Sequence, residues 1–269
     1  MSTQQETAAF GFPWKRSIWL TFGLMLVSLL ILEFAPLVPL FAYKGIVHLV
    51  GSFAPSVPDF LHAHKQLVSA LLEEVLYLTA FGSAIYFLKR RFFPETSLRE
   101  LTSLTFASIR GQFWGCIATA AIGLSAVSVL NILAYNLLPL PTPDSPAGDF
   151  AMKLTGPAFF IFAVGAIVIA PICEELLCRG FLFNMLRGSL RRKLESKWAL
   201  GIADSGAVLL SGAFFAGMHG TLTGFPGLFI TGCVLAVVYQ RRNSLFASIF
   251  MHSMNNILAT LALYAAIHH

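Results

Sequence analysis

The chain is 269 residues long, 57% hydrophobic and only 12% Asp, Glu, Lys or Arg, with a mean hydropathy of +0.74. Soluble domains carry about 25% charged residues, and half that complement cannot coat a water-exposed surface. These figures exclude a soluble globular domain, a disordered chain and a nucleic-acid binder with a broad basic face. They leave an all-α fold, a polytopic transmembrane helical bundle.

In chain order, a polar tail ending in Lys15 and Arg16 precedes an apolar run from Ile18 to about Tyr43. That run is too long for a signal-peptide core and has no A-x-A site after it. It reads as a first transmembrane helix, bent near Pro36 and Pro39. Further apolar segments lie at 67–88, 113–138, 157–187, 203–219, 226–240 and 244–267, giving about seven spans. The run 226–240 is the shortest: at 1.5 Å per residue it reaches only ~22 Å of a ~30 Å hydrocarbon core. The Pro-rich stretch 139–146 reads as an extended linker. It separates an N-terminal three-helix membrane region, 1–146, from a C-terminal domain, 157–267. The four cysteines lie in apolar stretches without CxxC spacing and read as small core residues.

The net charge of +5 follows from the positive-inside rule rather than from an acidic partner. With the N-terminus inside and the C-terminus outside, 14 of the 18 basic residues fall in inner segments. These segments hold Lys15 and Arg16; Lys89, Arg90, Arg91, Arg99 and Arg110; Arg187, Arg191, Arg192, Lys193 and Lys197; and Arg241 and Arg242. Lys44, Lys65 and Lys153 fall outside, and Arg179 lies within a span.

An ionisable group at the bilayer centre costs about 2.5–3.5 kcal/mol on insertion scales, so intramembrane polar residues are candidate functional residues. Glu175 and Arg179 are four apart, share a helix face and stand in the favourable order for an ion pair. Glu174 points about 100° away from that pair. His219 closes the motif Phe215-Ala-Gly-Met-His219, with Gly212, Gly217 and Gly220 around it to permit close approach. His252 and Asn256, also four apart, share a face of the last span. Each group alone could be structural, serving only to hydrogen-bond helices together. Together, a carboxylate, two histidines and an amide supply a general base and oxyanion donors for attack of water on a peptide carbonyl. No GxSxG or HExxH motif appears. Glu73-Glu74 is a second acidic pair, but Leu78 stands where an Arg would be needed; it reads as a solvated helix end near Lys65. Glu33 reads as interfacial. His62 and His64 lack a third ligand, and His268 and His269 read as a solvated tail.

In this order, EExxxR (Glu174 to Arg179), FxxxH (Phe215 to His219) and HxxxN (His252 to Asn256) resemble the CAAX protease and bacteriocin-processing (CPBP, or Abi) intramembrane proteases. The resemblance covers roughly 157–267. It implies an intramembrane endopeptidase acting on a membrane-embedded or lipid-modified protein or peptide. On this resemblance Glu174 and His219 activate water, and His252 and Asn256 stabilise the oxyanion. Glu175 and Arg179 form the supporting pair, and Phe215 lines the site. Glu174, His219 and His252 would also make a zinc set with one open position. No carboxylate stands behind either histidine in the sequence, so no required cofactor is favoured. The expected setting is the lipid bilayer of a cell membrane, a bacterial inner membrane, as a multi-pass protein with no nucleic-acid partner. Two other readings stay open: a transporter, which predicts repeated halves that the sequence lacks, and a non-catalytic immunity or scaffold protein. One geometric condition is exacting. Measured from the inner ends of the spans, Glu174 lies ~20 Å deep, His219 ~24 Å and His252 ~12 Å, and a single site requires them to meet.

Overall fold

The computed structural model describes residue 14 and residues 16–54, 56–99, 106–143 and 145–268, giving only the backbone at 62, 106–111, 146 and 268. Lys15, Asp144 and His269, and the side chains of His62, Arg110, Pro146 and His268, therefore lie outside the described residues. The described residues form ten helices and no strand. They are α1 (Ile18–Phe34), α2 (Leu37–Phe53), α3 (Ser56–Ala63), α4 (Lys65–Phe92), α5 (Phe106–Leu137) and α6 (Pro146–Ala151), then α7 (Gly156–Arg191), α8 (Lys197–Gly217), α9 (Phe225–Arg242) and α10 (Leu245–His268). The all-α membrane architecture is borne out. Six helical stretches are long and apolar enough to cross a bilayer, α1 and α2 together forming one of them. The short run at 226–240 becomes α9, 18 residues long. It falls outside that set because Gln240, Arg241 and Arg242 close its last turn.

Local chemistry sets the helix ends. Ser17 caps α1 by accepting the Leu20 N–H at 3.3 Å, and Ser196 caps α8 by accepting that of Ala199 at 3.1 Å. Pro36, which has no N–H, interrupts the first span after Phe34, so the bend is a break between α1 and α2. The helix then runs on to Phe53 instead of ending near Tyr43. The hydropathy falls at Lys44 and His48, but backbone hydrogen bonding continues through them. Lys89, Arg90 and Arg91 occupy the last turn of α4, where cations complement the helix dipole.

The inner segments named from charge gather at one end of the bundle. Trp14, 2% exposed, packs on Phe92 and Phe93 and donates to Ser189 at 3.1 Å. Arg187 forks onto Asp204 at 2.8 and 3.0 Å, and Gln240 donates to the same carboxylate at 2.9 Å. The other three tryptophans, Trp19, Trp114 and Trp198, are each more than three-quarters exposed. All three stand close in sequence to these basic segments, as an aromatic belt does.

Within the bundle α4 packs on α1 and α7, α5 on α9 and α10, and α8 on α9. The α8–α9 contact is backbone-close. A Cβ placed on Gly232 would lie 2.9 Å from the Cα of Gly212 and 3.0 Å from the Cβ of Phe215. Gly212 thus does what its sequence position suggested, admitting a neighbouring helix.

Candidate active site

The site grows out of an irregular stretch of α7. Pro171 lies within this helix and cannot donate to the preceding turn. The turn just before it, Gly165–Ile169, is π-helical, and Leu176–Phe183 beyond Glu175 is π-helical as well. Such widening leaves carbonyls to be satisfied by side chains. Asn256 Nδ2 donates to the Ala166 carbonyl at 2.8 Å. Asn184 Nδ2 donates to the carbonyls of Arg179 and Gly180 at 3.0 and 3.2 Å.

The expected ion pair forms. Arg179 Nη1 donates to Glu175 Oε1 at 2.7 Å, and both side chains are fully buried. Nη2 of Arg179 donates to the Gly232 carbonyl at 2.7 Å, and its guanidinium lies 4.8 Å from the centroid of the Phe215 ring. Phe215 in turn meets the His252 ring edge-on at 5.5 Å and the His219 ring at 4.8 Å. It lines the site by stacking between the arginine and both imidazoles.

The two histidines have the same hydrogen-bond polarity. His219 Nδ1 stands 2.7 Å from the Phe215 carbonyl, and His252 Nδ1 stands 3.1 Å from Glu175 Oε1. A carbonyl and a carboxylate oxygen accept here, so each Nδ1 carries a proton, and in the neutral ring each Nε2 presents a lone pair. Both Nε2 atoms face one oxygen, Glu174 Oε2, at 4.0 Å from His219 and 3.9 Å from His252. The other oxygen, Glu174 Oε1, accepts from the Tyr77 hydroxyl on α4 at 2.6 Å. Oε2 is buried and has no hydrogen-bond partner among the described residues. Three acceptor atoms therefore converge with no donor between them.

Residues from α7, from the turn that follows α8 and from α10 thus meet despite their unequal depths along the spans. The depths assumed level inner ends. In the structure the start of α10 is packed inside the protein, with Ser244, Leu245, Ala247 and Ser248 all buried. Glu174 and His252 are buried, whereas the His219 side chain keeps 29% of its surface exposed. Beside it, added Cβ atoms on Gly217 or Gly220 would meet nothing within 4 Å. The open face of the site is therefore at His219.

Two sequence expectations need correcting. Glu74 is not at a solvated helix end: it lies mid-way along α4, half-buried, with its carboxylate where a Cβ on Gly165 would fall. The claim that no carboxylate stands behind either histidine also fails, because Glu175 backs His252 from a position far away in sequence. Asn256 does not point at Glu174; its amide is held by Ala166, and it lines a cavity of about 510 Å³ with Phe162, Leu228, Thr260 and Leu263. Tyr77 was missed, although a tyrosine at bilayer depth needs a polar partner. Glu33 is exposed in the last turn of α1, and His64, between α3 and α4, has its Nδ1 2.9 Å from the Phe60 carbonyl. The four cysteines are free.

The chemistry of Glu174, His219 and His252 suits zinc, since each imidazole has its Nδ1 fixed by an acceptor. The spacing found is wider than a bound ion would hold. Ligand atoms around a tetrahedral zinc at ~2.0–2.1 Å lie ~3.3–3.4 Å apart, nearer than the 3.9 and 4.0 Å found here. Among the described residues no group of three His, Cys, Asp or Glu closes around a common metal position.

Against known proteins, residues 156–258 match the family model of the type II CAAX prenyl endopeptidases, Rce1-like. The chain is also 24% identical over 229 residues to the UPF0177 protein YbdJ of Lactococcus lactis subsp. lactis (strain IL1403), covering 83% of this chain and 87% of that protein. No solved structure matches. The matched stretch contains the three motifs that carry the resemblance and supplies both histidines facing Glu174 Oε2, so the likeness to the Rce1-like type II CAAX prenyl endopeptidases falls on the site itself.

Proposed function

We propose that this protein is an intramembrane endopeptidase that cleaves a membrane-embedded or lipid-modified protein or peptide by means of a water held at Glu174, His219 and His252. The observation that carries the reading is the convergence of two Nε2 lone pairs and one unpartnered carboxylate oxygen at 3.9–4.0 Å. One water can stand about 2.8 Å from both Glu174 Oε2 and His219 Nε2 and donate one proton toward each. Glu174 takes a proton as hydroxide adds to the scissile carbonyl, with His219 orienting the water from the open side. His252, carrying a second proton taken from solvent before the attack and kept through the turnover, donates to the oxyanion through Nε2, with the Glu175 carboxylate facing its other nitrogen. Asn256 shares a helix face with His252 but has its amide on the Ala166 carbonyl; its part in holding the oxyanion rests on the motif resemblance alone. The proton on Glu174 then passes to the leaving amine. No step requires a metal.

The test is cleavage of a quenched fluorogenic peptide carrying a farnesylated CAAX cysteine by detergent-purified protein. Glu174→Gln and His219→Ala are each expected to lower kcat by about 10²–10⁴-fold, and Glu73→Gln to leave it unchanged. Cleavage that survives both site substitutions would remove the protease reading. Activity lost to a chelator and restored by zinc would overturn the metal-free part alone.

A further inference from the structure

The two oxygens of Glu174 stand in different surroundings, and α4, outside the stretch that matches the family, makes the difference. Tyr77 donates to Oε1 at 2.6 Å, the length of a charge-assisted O–H···O⁻ bond. Its ring is stacked on Phe81 at 4.5 Å with 25° between the planes, and Phe81 is itself buried. The phenol is therefore held by packing one helical turn away. One turn before it, Glu74 fills the notch left by Gly165 and sets how α4 sits on α7. Glutamate has three rotatable bonds and no intrinsic preference for which oxygen it offers.

We propose that Tyr77 is a positioning residue: its hydroxyl fixes the Glu174 carboxylate so that Oε2, and not Oε1, faces His219 and His252. The inference rests on Glu174 being the base, and extends the site to a helix that carries no family motif. If the phenol is removed, the carboxylate can turn, and the bound water loses its aligned acceptor.

Full-length protein with Tyr77→Phe, assayed on the same farnesylated peptide, is expected to lose about 10–100-fold in kcat, the worth of a hydrogen bond to a charged group. KM is expected to stay within about twofold, because binding contacts are untouched. A fold defect would move both constants together. A second readout needs no substrate: the Glu174 carboxylate stretch, taken as the infrared difference between wild type and Glu174→Gln, is expected to shift in the Tyr77→Phe background. Should Tyr77→Phe not fold, difluorotyrosine at position 77 keeps shape and packing but strengthens the donor, and is expected to displace the same band. A band unmoved by either change, or a wild-type kcat in folded Tyr77→Phe, would overturn the positioning role and leave the proposed function standing. Undiminished cleavage by both Glu174→Gln and His219→Ala would overturn the two together.

Discussion

Glu175 Oε1 accepts two hydrogen bonds, from Arg179 at 2.7 Å and from His252 at 3.1 Å, so a single atom ties the ion pair to an imidazole of the site. Half of this was legible in the sequence: the pair is four residues apart on one helix, and helical geometry places such residues together. The other half was not, because His252 and Tyr77 reach the acidic pair from 77 and 97 residues away, and no local periodicity records such contacts. The buried pair also makes a sharp expectation. Glu175→Ala would leave the Arg179 guanidinium fully buried without its counter-charge, and is expected to cost about 3–5 kcal/mol. Glu175→Gln keeps an oxygen in place for both donors and is expected to cost less than half as much. Thermal unfolding of the two variants in detergent checks this, and equal losses would mean that the oxygen contributes nothing beyond its charge.

At the level of helices, hydropathy located the spans because burial in lipid imposes a length and a composition. It did not locate their irregularities. The break at Pro36 was expected as a bend, but the π-helical turns around Glu174 have no hydropathy signature, and only Pro171 hints at the first of them. The glycines discriminate between packed and open faces better than the sequence could. Gly232→Ala would press a methyl against the Gly212 backbone and against Phe215, and backbone cannot swing aside as a side-chain end can. It is expected to destabilise the protein by about 1–3 kcal/mol and to lower activity by displacing the ring between Arg179 and the histidines. Gly217→Ala, with open space around it, is expected to change stability by less than about 1 kcal/mol. Paired melting curves decide between them; a tolerated Gly232→Ala would mean that α8 and α9 can separate without cost.

Across the whole molecule, charge does two separate jobs. Basic residues gather at one end of the bundle, as the positive-inside expectation requires, and the exposed tryptophans stand beside them in sequence. Glu174, Glu175 and Arg179 are buried; Glu175 pairs with Arg179 and bonds His252, whose other nitrogen faces Glu174. The linker at 139–146 suggested two separable regions, yet α4 contacts α7 through Tyr77 and Glu74, and α5 lies against α9 and α10. If those contacts hold the bundle together, the linker is dispensable once folding is complete. A protease site placed among the exposed residues 141–143 and cut in the purified protein is expected to leave the two fragments co-eluting in detergent, with cleavage of the farnesylated peptide retained. A C-terminal fragment from residue 145 expressed alone would have Glu174, His219 and His252 but no Tyr77, and is expected to be inactive until the N-terminal fragment is supplied. Fragments that part after the cut, or a C-terminal fragment with full activity, would show that the first helices merely accompany the site.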